Sequence, residues 1–176
     1  KDQAEKYREP TEADFQGRRD CRMEEVCTID PWNAHDHDDA VCVEDLPNGN
    51  WRMDVHIADV SHYVTEGSPL DKQAVKRAFT TYLPWTAVTM LPESLAADLC
   101  SLLDGKDRLA LSCRMEIAPD GQILSYEFFE AVEACVDGLE HGRSSIFEAE
   151  QLTDEQRATA AELRRLVPAI AEAHGC

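Results

Sequence analysis

Positive charge is scarce in this chain. Its 176 residues carry 17 lysines and arginines against 35 aspartates and glutamates, for a formal charge of -18. That balance lacks the basic footprint usual in phosphate-binding proteins and, taken globally, counts against a nucleic-acid partner. The objection is limited in reach. Global charge governs solubility and steering, and cations held among clustered acids reverse the local sign. Also lacking is any apolar run near the roughly 20 residues that span a bilayer. The first ten residues, KDQAEKYREP, hold no apolar stretch of the signal-peptide kind. A protein without a membrane partner, located in the cytoplasm, is therefore the expectation. The seven cysteines are an odd number, scattered, with no C-x-x-C pair. That spacing argues against a disulfide framework and a structural zinc site, and leaves reduced, mostly buried thiols. A hydrophobic share of 43% with 30% charged residues fits one soluble globular domain with its own core.

Residues 1–18 are polar and aperiodic and read as a linker or arm; residues 19–176 read as the domain. Val26 to Ile29 is a short apolar run that delivers Asp30 at its end. Pro31 and Asn33 break it, which puts the following aspartates on a loop. Ala40 to Leu46 and Trp51 to Ile57 predict two strands joined through a two-residue Asn48-Gly49 turn. Along the second, Trp51, Met53, Val55 and Ile57 alternate with Arg52, Asp54 and His56, which predicts burial of the apolar face. Ser68-Pro69-Leu70-Asp71 reads as a helix start, with the helix running to about Thr80 and ended by Tyr82-Leu83-Pro84. A short helix follows from Met90 to Leu99. Leu109 to Ile117 and Gln122 to about Val132 predict strands around Pro119-Asp120-Gly121. Thr153 and Gln156 resemble a capping box for a last helix, which Pro168 kinks or divides. The order of elements predicts an α+β fold built on a mostly antiparallel sheet.

Against the general dispersal of acids, one segment stands out. Asp30, Asp36, Asp38 and Asp39 fall within the run TIDPWNAHDHDDA. Like charges so spaced repel, and each raises its neighbours' pKa unless a cation sits among them. An EF-hand register fails: counted from Asp36, the sixth and twelfth positions are Val41 and Pro47, and from Asp30 they are His35 and Val41. Zinc on His35 and His37 is an alternative, although carboxylates outnumber the histidines and no cysteine is near. The His35-Asp36 dyad has the form used by helical metal phosphohydrolases, but here it precedes a strand and a hairpin. A solvated acidic loop is the inert alternative, and it explains poorly why the acids stand between strand-like segments. The remaining reading is a carboxylate-bound Mg²⁺ or Mn²⁺ centre for phosphodiester hydrolysis. Such a centre neutralises phosphate oxygens and makes water nucleophilic at neutral pH, and several aspartates can hold two ions roughly 4 Å apart.

The pattern T-I-D-x-x-x-A-x-D-x-D-D-A resembles the signature of the ribonuclease II and ribonuclease R family, in its RNB catalytic domain. PNGNWRMDVHIADVSHYV, GSPLD, KRAFTTYLP, MLPESL and DRLALSCRMEI continue the resemblance in order over about residues 19–132. It implies an Mg²⁺-dependent hydrolase that degrades single-stranded RNA from the 3′ end and releases nucleoside 5′-monophosphates. By position it implies Asp30 and Asp39 as direct metal ligands and Asp38 as the carboxylate most critical to the chemical step. Asp36 would support the site, and Tyr82 would pack on the terminal nucleotides, as aromatic stacking suits single strands. For Tyr82 the alternative is a core tyrosine at a helix end. Asp59 and Arg108 are expected to hold local structure, Trp51 to pack a strand, and His56 and His62 to be ordinary, partly buried histidines. After about Val132 the match fades, and the family's second half and flanking RNA-binding modules have no counterpart here. The chain thus resembles the N-terminal half of an RNB domain, either a fragment of a larger enzyme or a shortened relative. A non-catalytic RNB-like module that binds RNA or protein is the alternative function.

Overall fold

The computed structural model describes residues 7–31, 34–83, 85–135 and 139–141, together with Arg165. In chain order the elements are α1 (Glu12–Phe15), β1 (Arg19–Asp20), β2 (Ile29–Pro31), β3 (Asp39–Asp45), β4 (Trp51–Ala58), α2 (Val60–Tyr63) and α3 (Pro69–Arg77). There follow β5 (Thr81–Leu83), β6 (Thr86–Val88), a π-helical turn at Leu95–Leu99, β7 (Asp107–Ile117), β8 (Ile123–Ala134) and β9 (Leu139–His141). The last helix expected from Thr153 lies outside the described residues, as does Asn33.

Five strands form the main sheet in the order β1-β8-β7-β4-β3. All neighbours are antiparallel except the short β1, which runs parallel to the edge of β8. The fold is therefore α+β on a mostly antiparallel sheet. β2 pairs with β9, and β5 with β6, in two small separate ladders. Among the described residues no helix is long and apolar enough to cross a membrane.

The β7–β8 hairpin closes where Pro119-Asp120-Gly121 predicts it. Gly121 takes a positive φ of 85° and donates its N–H to the Ala118 carbonyl at 2.8 Å. A left-handed residue there favours glycine, which has no Cβ to clash. The β3–β4 connection is longer than a two-residue turn. Leu46 and Asn50 still exchange a backbone bond (2.8 Å), and Gly49 N–H reaches the Leu46 carbonyl at 2.9 Å. Pro47 and Asn48 thus sit at the centre of a turn completed by Gly49 with φ 85°. That is the three-residue hairpin with a left-handed glycine. Ser68 caps α3 as expected, its hydroxyl accepting from Asp71 N–H at 3.1 Å, with Pro69 at the first position. The helix ends at Arg77, earlier than Thr80, because Ala78 turns to φ 66°. Tyr82 and Leu83 then form a hairpin strand that the sequence reading missed. The helix expected over Met90–Leu99 contracts largely to the π-helical turn, a form frequent at functional sites.

Burial along β4 contradicts the alternation argument. Asp54 and His56 are fully buried, whereas Ile57 on the apolar face is exposed. The reason is pairing. Arg114 on β7 stands opposite Asp54 and donates to it through Nε (2.8 Å) and Nη2 (2.6 Å). The Ser112 hydroxyl lies 2.8 Å from His56 Nδ1. Charge and polarity are thus buried because their partners arrive on the neighbouring strand, which no single-strand pattern records. The same face carries the small residues Ala40, Cys42 and Ala58, and against them pack Leu70, Leu91, Leu95, Leu99 and Leu102. Small strand residues let the leucines approach closely, so the helical side of the sheet becomes the main core. Cys21, Cys27, Cys42, Cys100 and Cys135 are buried, and all described cysteines are free thiols.

Residues 7–15 lie against this core. Tyr7 meets Tyr63 edge-to-face at 6.1 Å, and Glu9 pairs with the buried Arg108. Close by, Glu133 on β8 is fully buried, and among the described residues only the Cys135 thiol donates to it, at 3.2 Å. Burial pushes the Glu133 carboxyl up to about 7. A carboxyl raised in the fold favours the protonated native state, so its stabilising contribution is complete below the ordinary value of 4.5 and is lost as pH rises through about 7. Glu133→Gln is expected to flatten the fall in melting temperature across that window, as read by thermal melts at pH 4.5, 6 and 8. An unchanged pH profile would remove Glu133 from the account.

Candidate metal centre

The four aspartates reach one place by three routes. Asp30 sits in β2, Asp36 and Asp38 in the following loop, and Asp39 is the first residue of β3. An isolated antiparallel bridge joins Cys27 to Val41 through two backbone bonds of 2.9 Å. Three residues onward from Cys27 is Asp30, and three back from Val41 is Asp38, so the bridge directs the two carboxylates toward each other. The loop between is pinned from outside. Ser101 Oγ accepts from His37 N–H (2.9 Å) and donates to the His35 carbonyl (3.2 Å). Leu102 N–H reaches the His37 carbonyl (2.9 Å), and Ala58 N–H reaches that of Asp38 (3.0 Å). Buried Arg108 in turn holds the Ser101 carbonyl through Nε at 3.0 Å. Four backbone groups of the loop are thereby satisfied without use of the carboxylates.

The four carboxylates act on one another electrostatically. Partial burial pushes the Asp38 carboxyl above the usual range, and the charges of Asp36, Asp39 and Asp30 add to the rise. Asp30 is likewise raised, first by burial, with Asp39 and Asp36 contributing and His37 and Thr28 offsetting part. His37 Nδ1 lies 3.5 Å from Asp30 Oδ2 and 3.1 Å from the Thr28 hydroxyl. Even so, among the described residues Asp30 Oδ2 is a buried oxygen with no hydrogen-bond donor. A buried carboxylate oxygen without a donor, beside three further carboxylates, is an anionic site short of a cation. All-oxygen donors of this kind suit a hard divalent ion such as Mg²⁺ or Mn²⁺. Asp36 has a different tie: Tyr82 Oη donates to its Oδ2 at 3.0 Å. That bond raises the phenol's pKa, so Tyr82 keeps its proton. With 71% of its surface exposed, Tyr82 is not a core residue. Its ring is free to meet a ligand beside the carboxylates.

Elsewhere, Glu24, Asp54 and His56 bring ligand atoms within 4.8 Å of one another, a proximity that the four aspartates do not share among the described residues. The oxygens of Glu24 and Asp54 are already taken. Arg114 Nη2 donates to both Glu24 oxygens (2.8 and 3.0 Å) and to Asp54, and Arg52 stands 3.4 Å from Glu24. A guanidinium occupies the position a cation would need, so this group reads as an ion-pair network. Sequence reasoning missed Ser101, Thr28 and His37 as supports of the aspartate loop. Ser101 lies in the segment LCSL, where nothing in its spacing reveals a reach of 64 residues to His37. Asp59 and Arg108 hold local structure: Asp59 caps α2 and pairs with Arg18 at 2.6 Å.

Comparison with known proteins shows the family. The RNB domain family matches residues 18–166. Ribonuclease R of Thermotoga maritima is 51% identical over 119 residues, which are 68% of this chain and 17% of that protein. The structure of Mycoplasma genitalium RNase R in complex with double-stranded RNA superposes with a TM-score of 0.89 at 26% identity, covering 96% of this chain and 31% of that one. Yeast Ssd1, a pseudonuclease, shares the fold with a TM-score of 0.72 at 23% identity, over 92% of this chain and 20% of that one. The chain spans only about a sixth of the curated relative it matches at 17% coverage. A family of ribonucleases implies a divalent metal, which suits the carboxylate cluster. By its family match, its relatives and its fold, this chain belongs to the RNB domain family.

Proposed function

We propose that this chain carries the metal-binding part of an exoribonuclease that hydrolyses single-stranded RNA from the 3′ end and releases nucleoside 5′-monophosphates. The observation that carries the reading is the mutual electrostatic influence of Asp30, Asp36, Asp38 and Asp39, with a buried Asp30 oxygen that lacks a donor among the described residues. Asp30 and Asp39 would hold Mg²⁺, for which Mn²⁺ can substitute. Bound there, the ion supplies charge neutralisation on the phosphate oxygens and a lowered pKa for water. Asp38 orients the attacking water or holds a second ion. Asp36 fixes Tyr82, whose exposed ring stacks on the terminal nucleotide. The RNA-bound Mycoplasma relative supports RNA as the partner class.

The test uses 5′-labelled single-stranded RNA with Mg²⁺ and with EDTA. The expected result is a ladder that collapses to a short 5′ product only when Mg²⁺ is present. A non-catalytic RNA- or protein-binding module is the second reading, favoured by the charge of -18 and by a pseudonuclease sharing the fold. Uncleaved RNA in Mg²⁺ alongside stable complex formation would decide for it.

A further inference from the structure

Residues 72–92 contain Lys72, Lys76 and Arg77 and not one acid, in a chain where acids outnumber cations 35 to 17. The same stretch holds Phe79, Tyr82 and Trp85, exposed to 66%, 71% and 82%. Two contacts join the helical and hairpin parts of this stretch. Arg77 Nη1 donates to the Thr89 carbonyl at 2.7 Å, and Met90 N–H donates to the Thr80 hydroxyl at 3.1 Å. The C-terminus of α3 is thereby tied to the base of the β5–β6 hairpin. Lys72 and Lys76 lie one turn apart on one side of α3, with Val75 beside them. Neither lysine has an ion-pair partner among the described residues. Trp85 stands at the hairpin tip, between the paired residues Leu83 and Thr86. It is three residues beyond Tyr82, across the hairpin turn.

We propose that Trp85, with Lys72 and Lys76, forms a second strip for single-stranded RNA, leading away from the carboxylates. The inference rests on reading those carboxylates as a nuclease centre. Tyr82, held at Asp36, takes the terminal nucleotide, and the Trp85 indole stacks on a base farther along the strand. The lysines meet its phosphates. Stacking on exposed aromatics together with a basic path for the backbone is how proteins hold single strands without reading sequence. Local positive charge here offsets the acidity of the rest of the chain, which a strip for an apolar protein surface would not require.

The test is fluorescence anisotropy of fluorescein-labelled dodecauridylate in EDTA, so that binding is read without cleavage. Trp85→Ala is expected to weaken binding about tenfold or more, with Trp85→Phe retaining most of it. Lys72→Gln with Lys76→Gln is expected to lower the slope of log affinity against log salt by about 1.4. Melting temperatures should not move, since all three side chains are exposed. Equal binding by Trp85→Ala, or no binding by the parent chain at millimolar concentration, would overturn the strip. So would a Trp85→Ala effect confined to self-association in sedimentation, which would make the hairpin a protein contact. Cleavage of the same RNA in Mg²⁺ separates the two readings. Cleavage with binding indifferent to Trp85 removes only the strip, whereas Trp85-dependent binding without cleavage removes only the nuclease.

Discussion

Replacing Asp38 with asparagine is expected to lower RNA hydrolysis about a hundred- to thousandfold, the loss usual when one preorganised electrostatic group leaves an active site. The melting temperature of the metal-free protein should hold or rise. Both expectations come from the same geometry. The Asp38 carboxyl is pushed up by partial burial and by three neighbouring carboxylates, so its charge is a burden on the fold. Asparagine removes that repulsion, and no side-chain hydrogen bond of Asp38 among the described residues is lost. The backbone carbonyl of residue 38 still accepts from Ala58. A group kept at a cost to stability is characteristic of a functional site. Single-turnover hydrolysis and thermal melts in EDTA read the two effects separately. Undiminished hydrolysis would take Asp38 out of the chemistry. Loss of activity together with a collapsed melt would make it a structural residue instead.

Arg114→Met is expected to produce the largest loss of stability, about 3 kcal/mol, by leaving the fully buried Asp54 short of its partner. For a chain of this size that corresponds to roughly 6–12 °C in melting temperature. Arg52 Nε remains 3.6 Å from Asp54, which keeps the loss toward the lower end of the range. The sign reverses when both partners go. Arg114→Met with Asp54→Leu should recover most of the stability, because an apolar pair of similar volume has no charge to desolvate. Thermal melts of the two variants decide the matter. Equal destabilisation by the single and double changes would mean that shape, and not the ion pair, holds this part of the sheet.

Much of the fold is legible in the local sequence. Strand patterns found β7 and β8, turn chemistry found Gly121, and Ser68 with Pro69 found the start of α3. These features depend on residues within a few positions of one another. What escaped depends on partners far along the chain. The burial of Asp54 and His56 requires Arg114 and Ser112 from the neighbouring strand, so the alternation in β4 pointed to the wrong face. The β5–β6 hairpin escaped because Tyr82-Leu83-Pro84 resembles a helix terminator. At the candidate site, the density of aspartates marked the place, while the convergence of Asp30 with Asp38 depends on the bridge between Cys27 and Val41. The support from Ser101 is longer in range still and carries no sequence signal of its own.

Glu24, Asp54 and His56 bring ligand atoms within 4.8 Å of one another, yet the central claim is that the aspartate cluster, whose carboxylates act on one another electrostatically, is the metal centre. The most direct test is calorimetric titration of Mn²⁺ into the parent chain, into Asp30→Asn with Asp39→Asn, and into Glu24→Gln. The account predicts that the parent binds and that the double variant loses more than the roughly tenfold that a missing supporting hydrogen bond would cause. Glu24→Gln should bind as the parent does, because Arg114 already occupies that carboxylate. Binding that survives the loss of Asp30 and Asp39 but disappears with Glu24, or no binding by the parent chain, would contradict it.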